Sequence, residues 1–384
     1  MSFPGLETIV GRFFKKEATA AKGAGDSPTQ LDPQSRAKQD IAREATGALL
    51  WKEKLANQFP DHAPVLESMF RNLQEFVATG ETPLTGYWEF RYLYFQTAGV
   101  SNDEITSNLS RIFPPLRLPK TIQSSLGDYR ATEVSGIVSE LKKHGFARLK
   151  NRLSPDSVAV IRQSLEQTAA NPAESGAHDG QDCRIFFREP TLLACPQLAQ
   201  LAADPLFYHV VSQYLGVQPI LSFLTAWISR RHLNDQETLS ESAQLFHADM
   251  SNPAFLKIFI YLNNVTEKNG PHCLIPGTHR QKAQELWRDG RISNEDISKH
   301  YPESTWDYQT GEAGSVFFVD TKAFHKGVPV VEGERFLIQL YYVDTLFGEY
   351  FPLDPETPPF DANRFGPAIN SYGPRFLSRY ALGR

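Results

Sequence analysis

The strongest constraint on the fold lies after Gln218. There the apolar or aromatic runs ILSFLTAWIS, LKIFIYLNNV, CLIP, SVFFVD and RFLIQLYYV are separated by Asn-Gly, Pro-Gly and other glycine-bearing turns. β-Branched and aromatic side chains fit a pleated, buried surface, so this half of the chain reads as a β-sandwich or barrel. The polar stretch from Arg280 to Thr310 interrupts the pattern. It reads as helical and is long enough to be an insertion over a pocket mouth.

The chain before these runs has a different texture. From Pro64 onward, Leu66, Met69, Phe70, Leu73, Phe76 and Val77 recur at helical spacing, with Gly80 placed as a C-cap. The aromatic run Tyr87 to Phe95 fits a helix or a buried strand, and its periodicity does not choose. Val134, Ile137, Val138 and Leu141 form a further helical face that Gly145 ends, and FARL follows as a short strand. Ser154 and Pro155 then open a helix whose buried stripe is Val158, Ile161 and Leu165. Residues Ala18 to Asp32 are small, polar and charged and read as a linker. The segment before them reads as a loosely docked terminus, neither signal nor anchor. These features divide the chain into a flexible segment 1–35, a mainly helical region 36–130, a β-rich domain 131–345 and an irregular tail 346–384.

Composition excludes several classes. With 41% hydrophobic and 22% charged residues the chain is of ordinary globular make-up. A formal charge of -5 offers no global attraction to nucleic acid, and no stretch approaches the length of an integral membrane span. Cys183, Cys195 and Cys273 lack CxxC spacing, which suits neither a disulfide framework nor zinc, and the expected compartment is the cytoplasm.

In QLFHADM, His247 and Asp249 stand two apart, so on extended backbone their side chains leave one face and converge. His325, just beyond the SVFFVD run, is placed for a neighbouring strand to present as a third ligand. Two histidines and a carboxylate on one face of an octahedral ion leave three positions open, which is how non-haem iron(II) accommodates a co-substrate and oxygen. HxD alone is weak evidence. Arg335 opens RFLIQLYYV ten residues later. A buried strand tolerates arginine when an anion pairs with it, and a guanidinium grips a carboxylate with two parallel hydrogen bonds. The plain alternative is an edge-strand arginine after a turn.

In order, IVSELKKHGFARL, LSPDSVAVIRQSLEQ, FHAD, NVTEKNGPHCLIPGTHR, GSVFFVDTKAFHKG and RFLIQLYYV resemble the phytanoyl-CoA dioxygenase-like family of Fe(II)/2-oxoglutarate-dependent oxygenases, over roughly Ser135 to Val343. The resemblance implies a mainly β fold with helical additions: a double-stranded β-helix, a cupin-like jelly roll, carrying the helical N-terminal region. It implies Fe(2+) held by His247, Asp249 and His325, and 2-oxoglutarate anchored by Arg335. Thr225, Trp227 and Arg230, on the strand before the HxD motif, are loose candidates for the co-substrate, with plain sheet packing the alternative for Thr225 and Trp227. The implied reaction is oxidation of a C–H bond of a small-molecule substrate, with release of succinate and CO2. Asp249 favours hydroxylation, because related halogenases carry a small residue there. His272 and His279 are read as loop residues, and Lys257 as a side chain that either faces the cavity or, the commoner role, snorkels to solvent. Arg184 and Arg188 are read as solvated unless they meet an acidic substrate. The competing reading is a non-catalytic or non-oxidative jelly-roll metal-binding protein.

Overall fold

A computed structural model describes residues 32–169, 184–231, 245–349 and 353–383. The expectations for residues 1–31 and for Cys183 lie outside them.

Four helices open the fold: α1 (Pro33–Gln58), α2 (Ala63–Thr79), α3 (Leu84–Gln96) and α4 (Val100–Ile112). Asp32 caps α1 by accepting a hydrogen bond from the Ser35 amide at 3.0 Å, and Pro33 occupies the first helical position. Ala37, Ile41, Ala45, Ala48, Trp51 and Leu55 then form one buried stripe. The aromatic run that fits either period is helix α3. It buries Phe90, Leu93 and Tyr94 while Trp88 and Tyr92 stay exposed.

A hairpin, β1 (Thr121–Ser124) and β2 (Gly127–Arg130), leads into α5 (Ala131–His144), β3 (Phe146–Arg148) and α6 (Pro155–Ala169). At the end of α5, Gly145 adopts φ 82°, the left-handed conformation glycine takes without penalty. Then come β4 (Arg184–Phe187), α7 (Glu189–Ala194), α8 (Pro196–Ala202), α9 (Pro205–Leu215), β5 (Ile220–Arg230), β6 (Phe255–Tyr261) and β7 (His272–Leu274). The chain continues through α10 (Asn294–Ser298), β8 (Asp307–Gln309), β9 (Val316–Val319), β10 (His325–Gly327), β11 (Glu334–Val343) and α11 (Ser378–Leu382).

Six strands form one antiparallel sheet in the order β3-β9-β6-β11-β5-β4, and three form a second in the order β10-β7-β8. Strand alternation sorts the large sheet's side chains. Ala226, Ile228, Ile258, Ile260, Phe318, Ile338 and Leu340 face a core shared with α1 to α9 and the C-terminal tail. Trp227, Phe259, Tyr261, Phe317, Val319 and Leu337 face the other way and pack with Leu274 of the small sheet. The site lies between the two sheets, and the helices brace the outer face. A buried ion pair, Arg375 Nη1 to Glu44 Oε1 at 2.6 Å, ties the tail to α1.

The stretch Arg280 to Thr310 departs from the helical expectation. Its only α-helix among the described residues is the five-residue α10. The reason is its anchoring: Leu286, Ile292, Ile297 and Trp306 drop singly into a third core cluster with Phe246, Cys273 and Phe324, without helical spacing. No helix among the described residues is long and apolar enough to cross a membrane.

Candidate metal centre

Residues 245–250 alternate strictly, with Leu245, His247 and Asp249 half-buried and Phe246, Ala248 and Met250 buried. The apolar set is pinned in the core, so the polar set must face the space between the sheets. His247 and His325 exchange both backbone hydrogen bonds at 3.0 Å, which sets their side chains directly opposite each other, with ring centroids 4.2 Å apart. The Asp249 amide donates to the Thr321 carbonyl at 2.8 Å and fixes the third member against the turn that leads into β10.

His247, Asp249 and His325 each offer a ligand atom, all within 4.8 Å of one another. The Asp249 carboxylate lies 3.6 Å from His247 Nε2 and 3.5 Å from His325 Nε2. Bonds of about 2.1 Å at right angles would place adjacent donors about 3 Å apart, so a small inward shift suffices for an octahedral ion. Both imidazoles are oriented for such a task. Nδ1 of His247 lies 3.0 Å from the Leu245 carbonyl and Nδ1 of His325 lies 3.0 Å from the Ala323 carbonyl. Each Nδ1–H therefore donates to the backbone and leaves the Nε2 lone pair aimed at the cluster. Burial pushes both histidines below their ordinary range and keeps them neutral. Burial alone would raise the Asp249 carboxyl, but the Lys257 ammonium bonded to it outweighs burial and holds it well below the usual carboxylate range. Two neutral imidazoles and an anionic carboxylate need to lose no proton before binding a divalent ion, so these residues fit iron(II).

A cavity of about 270 Å³ opens beside the cluster. Arg335 lies in its wall, 3% exposed, and donates to the Gly270 carbonyl and, at 3.3 Å, to Ser229 Oγ. The edge-strand alternative for Arg335 does not describe it, because the residue is buried, on a strand that lies inside the large sheet. Trp227 lines the cavity, and its Nε1 has no hydrogen-bond partner among the described residues. Thr225 is not among the lining residues.

Three expectations change. Lys257 does not snorkel: it lines the cavity and its Nζ donates to Asp249 Oδ2 at 2.6 Å. Its parity on β6 forces this, since Lys257, Phe259 and Tyr261 leave the same face of the sheet. His272 is not a loop residue but the first residue of β7, buried in the cavity wall, while His279 is buried in the turn outside it. Arg184 lines the cavity, whereas Arg188 pairs with Asp354 and Glu356, each at 2.7 Å. Arg291, from the 280–310 stretch, also lines the cavity. The notice a sequence gives of Arg291 is slight, because arginine in a polar insertion is ordinary.

Two histidines and one carboxylate, gathered where two antiparallel sheets face each other and flanked by a buried arginine, fit the class of iron(II)- and 2-oxoglutarate-dependent oxygenases. A family model described as phytanoyl-CoA dioxygenase matches residues 141–332, half of the chain, and the chain belongs to that family. It is 25% identical over 213 residues to the ectoine dioxygenase of Bordetella parapertussis, an alignment covering 49% of this chain and 68% of the relative; the enzyme of Bordetella bronchiseptica matches to the same extent. Among solved structures, EctD from S. alaskensis with bound Fe is similar at 18% identity and a TM-score of 0.41, covering 60% of this chain and 83% of the other. HygX from Streptomyces hygroscopicus with nickel, 2-oxoglutarate and hygromycin B is similar at 18% identity and a TM-score of 0.40, covering 57% and 90%.

Proposed function

We propose that the unit 131–345 is a double-stranded β-helix oxygenase that hydroxylates a C–H bond of a small molecule, with the helical region 36–130 and the tail 346–384 as its outer frame. His247, Asp249 and His325 are the iron ligands in this reading, Arg335 grips the distal carboxylate of 2-oxoglutarate, and the Trp227 indole N–H faces the same co-substrate. The convergence of one ring nitrogen from each histidine and a carboxylate oxygen within 4.8 Å of one another carries the reading.

Bound iron(II), with 2-oxoglutarate and oxygen, supplies the oxidant that breaks the C–H bond and releases succinate and CO2. The chain's own residues do the positioning. Backbone acceptors at Leu245 and Ala323 fix the imidazole planes. Lys257 keeps Asp249 ionised before loading. Phe259 and Leu337 in the cavity wall exclude water from the reacting face.

Charge in the cavity indicates the kind of substrate. Its lining carries Arg184, Lys257, Arg291 and Arg335 against one carboxylate, Asp249. That positive lining favours a substrate bearing an anionic group.

The test is succinate formation from 2-oxoglutarate and oxygen by iron-loaded protein, with candidate substrates offered as matched carboxylates and carboxamides. The reading expects succinate release that is lost in Arg335→Met and stimulated by carboxylate members more than by their amides. Iron-loaded protein that makes no succinate in any mixture refutes it.

A further inference from the structure

His272 holds a position that the iron ligands and the arginine clamp do not explain. Its ring is buried in the cavity wall, with its centroid 5.3 Å from that of His325. It also stacks edge-on against Phe259 at 4.9 Å. The Arg335 guanidinium donates to the carbonyl of Gly270, two residues before His272. The imidazole thus lines the same cavity as the proposed metal ligands and the proposed carboxylate clamp and is close to both.

Its hydrogen bonding is incomplete. Nδ1 lies 3.2 Å from Gln309 Oε1, while Nε2 has no partner among the described residues; nor has Gln309 Nε2. A buried polar group left unmet in this way calls for a partner. Amide oxygen and nitrogen are interchangeable in position. If the Gln309 amide is turned, its N–H donates to His272 Nδ1 and the imidazole proton moves to Nε2, facing the cavity. That tautomer satisfies the Gln309 nitrogen and turns His272 into a neutral donor toward an anion. Burial, with His325 and Arg335 nearby, holds the ring neutral, so it gives direction without adding a fifth cation to the wall.

We infer that His272 is a co-substrate-binding residue: its Nε2–H, oriented by Gln309, donates to a carboxylate oxygen of 2-oxoglutarate between the iron and Arg335. The inference rests on the oxygenase reading above. It separates His272 from a packing residue, because packing against Phe259 needs only the ring's volume, whereas co-substrate binding needs the N–H.

The test is anaerobic titration of 2-oxoglutarate into iron(II)-loaded wild type, His272→Leu and His272→Gln, following the visible chelate band, with iron affinity measured separately by competition. The expected result is unchanged iron affinity in all three. His272→Leu then weakens 2-oxoglutarate binding about tenfold or more, the loss of one charge-assisted hydrogen bond, and His272→Gln, which keeps an N–H donor, recovers most of it. Wild-type affinity in His272→Leu overturns the inference. So does equal weakening in both variants with loss of iron, which marks a structural role. A wild type that binds iron but shows no band overturns the oxygenase reading itself, a different outcome from either.

Discussion

Replacing Lys257 by methionine isolates the contact that Lys257 makes with the Asp249 carboxylate. The substitution keeps the volume of the side chain and removes the charge that sits 2.6 Å from Asp249 Oδ2. Breaking one side of a buried ion pair typically costs about 3–5 kcal/mol. Here the side chains of Lys257 and Asp249 remain 13% and 25% exposed, and Asp249 can relieve part of the cost by taking up a proton. A figure of about 2–3 kcal/mol for the metal-free protein follows. With an unfolding entropy of roughly 2 cal/mol/K per residue, the corresponding fall in Tm is roughly 3 °C. Iron(II) replaces the missing positive charge, so the loaded variant recovers most of that deficit. By linkage the variant binds iron about 30-fold or more tightly than wild type. Anaerobic differential scanning calorimetry of metal-free and iron-loaded forms measures both quantities. Equal Tm values for the metal-free proteins, or the same deficit with and without iron, would refute the reasoning that Lys257 stands in for the metal at Asp249.

Three further outcomes are expected. Arg375→Met leaves Glu44 buried without its cation and lowers stability by about 3–5 kcal/mol in urea unfolding, while the double variant with Glu44→Leu recovers much of the loss. Burial pushes the Asp344 carboxyl up to about 7. The folded protein therefore holds a proton there that the unfolded chain has lost above about pH 4, and this contribution to stability falls by about 1.4 kcal/mol per pH unit until it levels off near pH 7. Asp344→Asn removes that dependence, so it should gain on wild type as pH rises from 5 to 8 in paired urea titrations; a constant difference would contradict the shift. Gly270 has φ 73°, and a Cβ there would lie 2.6 Å from the Val328 carbonyl. Gly270→Ala should displace the carbonyl that Arg335 donates to and weaken 2-oxoglutarate binding several-fold, read by the same chelate band.

The parts of the site that were legible in the sequence are those where one period governs. Alternation through QLFHADM orients His247 and Asp249 together, because Phe246, Ala248 and Met250 have only the core to enter. The β runs likewise mark β5, β6, β9 and β11. Lys257 carried the same signal: its parity with Phe259 and Tyr261 points it inward, and a buried lysine requires an anion. His272 lies on a three-residue strand, too short for any period to show. Arg291 reaches the cavity through tertiary folding of the 280–310 stretch, whose isolated apolar anchors follow neither helical nor strand spacing. The run Tyr87 to Phe95 is apolar on nearly every side, so only its packing against α2 and α4 decides for a helix.

The most direct test of the central claim is anaerobic iron(II) titration of wild type and His247→Ala, with and without 2-oxoglutarate. The account predicts a weak visible band in wild type only when both iron(II) and 2-oxoglutarate are present, and none in His247→Ala. Iron binding by wild type with no band on adding 2-oxoglutarate, or an undiminished band in His247→Ala, would contradict it.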